Sequence, residues 1–264
     1  EIKSIDNVLK TITLGSGMIL LISLIASYIL SKRTLKPIID SYQKEIEFVQ
    51  NASHELRTPL TIIQAKQELL LQEPNSKIIT KSEDINISLQ ETRRLTKLIK
   101  ELMILAKSDS EKYELNKEEV DVDKLINDLL TPYIELYNNQ DRIIELDLNY
   151  RKKYKLDKDK ISELLIILFD NAIKYTKEKD HIIVKTFEEN KKLVIEIQDT
   201  GIGISDKSIK RIFDRFYRED KSHSRKIGGN GLGLSIAQII VNSHNGTIKA
   251  SHNKPKGTIF TIKI

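Results

Sequence analysis

Residues 11–31 read TITLGSGMILLISLIASYILS, twenty-one positions without a charged side chain. As an α-helix at about 1.5 Å per residue, the run spans about 32 Å, the thickness of a bilayer core. A buried core helix is rarely apolar all round, and a signal peptide has a shorter apolar run, so we read 11–31 as a transmembrane helix. Lys32, Arg33 and Lys36 follow it and point to a cytoplasmic downstream side. Lys3 and Lys10 on the other side make the charge bias modest; the large soluble remainder points the same way. Residues 1–10 are then an extracytoplasmic remnant. The chain opens on Glu1 rather than Met and is read as a fragment of something longer.

Beyond the membrane run, a heptad extends from 35 to 71. Leu35, Tyr42, Val49, Leu56, Ile63 and Leu70 recur every seven residues, and Ile39, Ile46, Ser53, Leu60 and Gln67 fill the second seam position. Such a pattern packs a helix against other helices. Glu73-Pro74-Asn75-Ser76 breaks it, because Pro74 cannot continue the hydrogen-bond ladder. A second helical pattern follows, with Ile85, Leu89, Thr92, Ile99 and Ala106 on one face and Leu95, Leu98, Leu102 and Leu105 widening it. One hairpin of two such helices over 35–108 has too little core to stand alone. Two hairpins paired as a dimeric four-helix bundle would bury both apolar faces.

After Lys107-Ser108-Asp109 the periodicity changes. A helix is expected at 121–137, a short strand at 142–148 and a strongly apolar helix at 157–176. IIVKTFEE and KLVIEIQD alternate around Asn190-Lys191, which reads as a hairpin. A helix from Leu232 to Ser243 and two strands, TIKASH and TIFTIKI, close the chain. Residues 118–264 are therefore expected to form an α+β sandwich, one sheet with helices on one face.

Composition narrows the chemistry. Hydrophobic residues are 39% and charged residues 31% of 264, which argues for folded domains. The net charge of +5 is spread along the chain, so a nucleic-acid partner is not expected. With no cysteine, disulfides, thiolate metal sites and a Cys nucleophile are excluded.

His54 sits in SHELRTPL just after Ser53 of the seam, so it should flank the packed core and face water. Glu55 can bond one imidazole nitrogen and leave the other as a nucleophile near neutral pH. Arg57 offers phosphate a cation, and Pro59 removes a helical N–H, freeing the Glu55 carbonyl and predicting a bend. Asp199-Thr200-Gly201-Ile202-Gly203 follows a strand directly. Its carboxylate can accept from an exocyclic amine while the glycines let backbone approach a flat ring. Gly229-Asn230-Gly231-Leu232-Gly233-Leu234 runs into a helix, where backbone N–H groups suit phosphate. No Lys-Ser/Thr follows, so this is not a P-loop. Asn171 offers an amide oxygen suited to Mg2+.

Together these segments resemble the conserved boxes of bacterial sensor histidine kinases. His54-Glu55-Leu56-Arg57-Thr58-Pro59 resembles the H-box and Asn171-Ala172-Ile173-Lys174-Tyr175-Thr176 the N-box. Asp199–Gly203 is similar to the G1 box, Phe213-Asp214-Arg215-Phe216-Tyr217-Arg218 to the F-box, and Gly229–Leu234 to the G2 box. Gly257-Thr258-Ile259-Phe260 resembles the last box.

The resemblance implies a homodimeric, integral membrane kinase with cytoplasmic kinase domains in a bacterial cell membrane. Its hairpin carries the phosphorylated histidine, and its C-terminal domain has the Bergerat ATP-binding fold shared with gyrase, Hsp90 and MutL. By that similarity Asp199 reads adenine, Thr258 assists and Tyr175 lies against the nucleotide. Gly201, Gly203, Gly229, Gly231 and Gly233 line it. Asn171 holds Mg2+, Lys174 and Arg218 face phosphate, and 214–230 form a mobile lid whose Lys221, Arg225 and Lys226 suit a polyanion. The implied reaction is ATP-dependent phosphorylation of His54, activated by Glu55, then transfer to an aspartate of a response regulator. Thr58, one helical turn beyond His54, is placed to position water for attack on the regulator's phosphoaspartate, a phosphatase step.

Two departures stand out. Only 22 residues separate Ser31 from His54, so no full HAMP module is inferred, and the membrane helix is expected to run nearly straight into the kinase helix through Lys36-Pro37. The position four before Asn171, often Asn in the family, is Ile167, which has no lone pair with which to activate water. Two rival readings are an ATPase working as a conformational machine and a catalytically dead scaffold. His54 in its motif argues against the first, and intact Asp199, Asn171 and glycine loops argue against the second.

Overall fold

The structure, a computed structural model, describes residues 2–73, 75–110, 115–138, 142–219 and 229–264. The chain divides into two compact units, Glu1–His54 and Glu55–Ile264. One helix, α1 (Ile2–Gln72, 71 residues), passes through both. It continues through Pro37 and Pro59 without interruption. In the first unit Leu20, Leu21, Leu24 and Tyr28 are all exposed. Among the described residues α1 is the one helix long and apolar enough to cross a membrane.

In the second unit, a short 3-10 turn (Ile78–Lys81) leads into α2 (Ser82–Ser110). Lys66 of α1 donates to Asp84 of α2 at 2.7 Å. Leu98 and Leu105 of α2 are buried, whereas Ile85, Leu89 and Ile99 of the predicted face remain exposed. The apolar stripe is thus wider than the contact it finds within one chain.

The C-terminal sandwich comprises β1 (Glu118–Asp121), α3 (Val122–Asn138), β2 (Ile143–Leu148), β3 (Lys153–Leu156), α4 (Lys158–Tyr175), β4 (His181–Glu189), β5 (Lys192–Asp199), α5 (Gly233–Ser243), β6 (Thr247–His252) and β7 (Thr258–Lys263). Five strands form a sheet in the order β2-β4-β5-β7-β6, parallel at β2–β4 and antiparallel elsewhere. The expected single sheet is corrected to two, because β1 and β3 pair separately as an antiparallel ribbon. These four-residue strands, EEVD and KYKL, are too short and too charged to announce themselves by alternation.

The main sheet follows the sequence pattern closely. Ile182, Val184 and Thr186 of β4 and Phe260 and Ile262 of β7 point into the core. Asn190 and Lys191 both have positive φ, 53° and 65°, as a two-residue hairpin of the I′ type requires. α4 buries Ile161, Leu164, Leu165, Leu168, Phe169, Ala172 and Ile173 at helical spacing, and α5 buries Ile236, Ala237, Ile240 and Val241. Asp157 caps α4: its Oδ1 accepts from the Lys160 amide at 3.0 Å.

A buried histidine fastens α5 to the start of α4. His244 Nε2 accepts from the Asp157 amide at 3.0 Å, and Nδ1 lies 2.8 Å from the Ile240 carbonyl, which makes Nδ1 the protonated nitrogen. Burial pushes the His244 pKa below its ordinary value, Lys117 adds to this, and the Ile240 carbonyl and Asp157 oppose it. The unfolded chain therefore takes up a proton from about pH 6.5 downward while the folded chain resists. Stability is present above that pH and declines as pH falls below it. His244→Leu is expected to lose about 1–3 kcal/mol by orphaning the Asp157 amide. It should also flatten the fall in melting temperature between pH 7 and pH 5, measured by circular dichroism.

Candidate functional site

β5 ends in Asp199, whose burial is nearly complete at 4% exposure. Its Oδ1 accepts from the Gly201 amide at 2.9 Å and the Thr258 amide at 3.2 Å. With both bonds on Oδ1, Oδ2 is the oxygen suited to an exocyclic amine. Burial pushes the Asp199 carboxyl above its ordinary pKa, and the two amides pull it back in part. The turn that follows packs on the end of α4: Ile202 N donates to the Tyr175 carbonyl at 3.2 Å. A Cβ on Gly201 would lie 2.1 Å from that same oxygen, so no larger residue fits. Tyr175 itself is 40% exposed. Gly257 has φ +113°, and a Cβ there would meet the Asp199 carbonyl at 1.9 Å.

A second set of residues gathers where α5 begins. Gly231 has φ +72°, its carbonyl accepts from Phe216 N at 2.9 Å, and a Cβ on it would strike Phe216 at 2.8 Å. Gly233 opens α5 against Ile167, whose Cγ2 would be 3.3 Å from an added Cβ. Ile167 thus packs at the head of α5. Gly229 meets nothing within 4 Å, and Gly203 has φ +76° beside Gly257. Arg218 carries a buried Nη2 with no hydrogen-bond partner among the described residues, a group suited to an incoming anion. Lys174 pairs with Asp170 at 2.6 Å, so its charge is already shared. Asn171, on α4, is partly exposed. Among the described residues no cluster of three His, Cys, Asp or Glu side chains is suited to a metal. A lone amide oxygen fits a hard cation that phosphate oxygens also ligate. Of the expected lid, residues 220–228, with Lys221, Arg225 and Lys226, lie outside the described residues.

His54 is exposed on α1, as its place beside the seam predicts. Glu55 lies 3.7 Å from Arg94 on α2, and Arg94 lies 3.8 Å from Glu91. Thr58 is exposed on the same helix. Three contacts had no signal in the sequence: Arg94 with Glu55, Glu101 of α2 with Asn230, and Asp180 with its donors. Glu101 Oε2 accepts from Asn230 Nδ2 at 2.6 Å, joining the hairpin to the glycine segment. Burial raises the Glu101 pKa, opposed by Asn230, Lys97 and Lys174 and reinforced by Glu163.

Comparison with known proteins agrees with this arrangement. Residues 44–111 match the His Kinase A (phospho-acceptor) domain. Residues 156–264 match the histidine kinase-, DNA gyrase B- and HSP90-like ATPase domain. The sensor protein CiaH of Streptococcus pneumoniae is 40% identical over 245 residues, covering 92% of this chain and 54% of CiaH. The signal transduction histidine-protein kinase ArlS of Staphylococcus aureus is 40% identical over 229 residues, 86% of this chain and 50% of ArlS. The chain spans about half the length of these curated relatives. Among solved structures, the histidine kinase AdeS of Acinetobacter baumannii superposes with TM-score 0.64 at 27% identity, covering 80% of this chain and 96% of its own. The histidine kinase ThkA in complex with the response regulator protein TrrA shares the fold, with TM-score 0.66 at 24% identity over 89% of this chain and 64% of that one.

The raised Asp199 carboxyl has a sign that can be tested. Between its ordinary and its raised pKa the folded chain holds the proton more tightly than the unfolded chain, so stability falls as pH rises through that window. Asp199→Asn keeps an acceptor for the two amides but removes the buried charge. Its melting temperature at pH 7 should equal or exceed that of the unsubstituted chain. ADP affinity, measured by calorimetry, should fall about 100-fold, because an amide NH2 would face the ligand's amine, a mismatch of about 3 kcal/mol.

Proposed function

This chain belongs to the sensor histidine kinases of two-component systems, and from that membership we propose that it phosphorylates His54 with ATP and passes the phosphoryl group to an aspartate of a response regulator. The observation that carries the ATP half is the buried Asp199 carboxylate, its Oδ1 taken by two amides and its other oxygen suited to the adenine amine. Support for the phosphate half comes from Arg218, whose buried Nη2 lacks a partner among the described residues. Gly231 and Gly233, at the head of α5, suit phosphate through their amides. Asn171 would hold Mg2+ together with the phosphates, and the cation would offset charge on the transferring group.

In the proposed step, Glu55 orients the imidazole and an unprotonated nitrogen of His54 attacks the γ-phosphorus in line. The P–N bond forms as the bond to the ADP oxygen breaks, and the electron pair leaves with ADP. The regulator's carboxylate then displaces the imidazole from phosphorus. A partner regulator is supported by ThkA, a fold relative solved in complex with the response regulator protein TrrA. Thr58 is proposed to position water for hydrolysis of the regulator's phosphoaspartate.

The homodimer rests on uncovered apolar side chains of the hairpin. Leu60, Leu89, Ile99 and Met103 are 57%, 47%, 45% and 58% exposed, and a second hairpin would cover them in a four-helix bundle. Membrane anchoring by residues 11–31, with the kinase domains in the cytoplasm, rests on the uncharged run and on α1. The assigned domain limits, 35–108 and 118–264, bracket most of the two matched regions.

Labelled ATP tests the reading directly. The unsubstituted chain is expected to form an acid-labile, base-stable phosphoprotein. His54→Gln should abolish the label yet keep ADP affinity within about twofold; label persisting in that variant would remove His54 from the mechanism. Thr58→Ala should slow regulator dephosphorylation at least about tenfold, the scale of a lost positioning contact, while autophosphorylation changes less. Equal loss of both activities would count against a role for its hydroxyl in placing water. Because Ile167 has no lone pair with which to activate water, phosphate release by His54→Gln should be slow, and Ile167→Glu in that background should raise it.

A further inference from the structure

Asp180, at the end of the connection from α4 to β4, is buried and collects three donors from three segments. Its Oδ2 accepts from the Lys177 amide at 2.8 Å. Its Oδ1 accepts from Lys256 Nζ at 3.0 Å and from the Thr200 hydroxyl at 3.4 Å. Thr200 directly follows Asp199, and Lys256 lies two residues before Thr258. Thr200 is also zipped to His181 in both directions: His181 N donates to its hydroxyl at 2.8 Å, and Thr200 N donates to the His181 carbonyl at 3.0 Å. On the other side, Asn253 Nδ2 donates to the Asp199 carbonyl at 2.8 Å and Asn253 N to the Gly257 carbonyl at 3.0 Å. The two amides that orient Asp199 thus come from two loops, and both loops are tied to one carboxylate.

The Asp180–Lys256 pair is not an ordinary surface pair. The Lys256 side chain is 61% exposed, but that of Asp180 is only 12% exposed, so one partner is held rigidly and largely out of water. Burial pushes the Asp180 carboxyl up, but the Lys177 amide, the Lys256 ammonium and the Thr200 hydroxyl together hold it below its ordinary value. It is therefore a fixed anion at neutral pH. Clearance at the second loop is small, because Gly257 approaches the Asp199 carbonyl so closely that a Cβ would be 1.9 Å away. A slight retreat of that loop would lengthen the 3.2 Å bond from Thr258 N beyond useful range.

We propose that Asp180 and Lys256 are a positioning pair that fixes the rotation of the Asp199 carboxylate and so sets the preference of the site for a 6-aminopurine over a 6-oxopurine nucleotide. The inference rests on the ATP-site reading above. With Oδ1 held by two amides, Asp199 offers one oxygen to the amine of adenine. Released from those amides, the carboxylate can turn and accept from both N1–H and the 2-amino group of guanine, and discrimination between the two bases falls.

The test uses the whole chain and two probes, ADP and GDP, with affinities measured by calorimetry. Lys256→Met should weaken ADP by about fivefold or more while GDP stays within about twofold, so that the ratio of the two affinities falls at least about fivefold. Lys256→Arg, which keeps the cation, should restore the ratio. In His54 labelling, Lys256→Met should raise the KM for ATP by a similar factor with kcat within about twofold, as expected when binding rather than chemistry is affected. Asp180→Asn should reproduce the change in ratio; if it does not fold, Lys256→Met carries the test alone. An unchanged ratio in Lys256→Met, or equal weakening of ADP and GDP, would overturn the positioning role. Failure of the unsubstituted chain to bind ADP would instead overturn the ATP site itself.

Discussion

Two backbone amides on one carboxylate oxygen organise the nucleotide half of this protein. Gly201 N and Thr258 N converge on Asp199 Oδ1, and neighbouring features follow from that convergence. The β5–β7 ladder pairs Gln198 with Ile259 and stops there, which turns the next amide, that of Thr258, towards the Asp199 side chain. Gly201 must be glycine because the turn lies on the Tyr175 carbonyl, and Gly257 because its loop lies on the Asp199 carbonyl. The arrangement is unfavourable for folding, since burial raises the carboxyl pKa. Buried charge kept at a functional site in spite of its cost is a familiar sign that the group serves binding rather than stability.

Much of this was legible beforehand, for identifiable reasons. α4 announces itself because its apolar residues recur at helical spacing over five turns. The β4–β5 hairpin does so because two short β-branched, largely alternating runs flank Asn190-Lys191, which takes the left-handed turn such a hairpin needs. Asp199 and the glycines stand out because close backbone approach restricts residue type at fixed offsets. β1 and β3 carry no such signal because each is four residues long and offers one buried side chain. Asp180 with Lys256 and Glu101 with Asn230 were invisible for another reason. Their partners lie 76 and 129 positions apart, and a single charged residue on a surface segment does not name its partner.

The helical hairpin presents the opposite case, in which the pattern said more than one chain can satisfy. Its heptads specify two apolar stripes, yet within the second unit Leu98, Ile104 and Leu105 are buried while Leu60, Leu89 and Ile99 are not. The unused half of the stripe is a property of the sequence rather than of local packing, since both helices form without it. Apolar area left in water on this scale is unfavourable by about 25 cal/mol per Å2, a driving force for covering it, which the proposed second copy would do.

The hydrogen bond between Glu101 of α2 and Asn230 beside Gly231 joins the helical hairpin to the glycine segment at the head of α5, the proposed phosphate site. It therefore places two otherwise separate equilibria in one thermodynamic cycle. Around such a cycle the free energies must sum to zero. Whatever factor nucleotide imposes on the making of this bond, the bond imposes on the affinity for nucleotide. On the proposed reading the hairpin would then be not only the acceptor of the phosphoryl group but also an intramolecular ligand of the domain that supplies it, and its docking would have an equilibrium constant of its own.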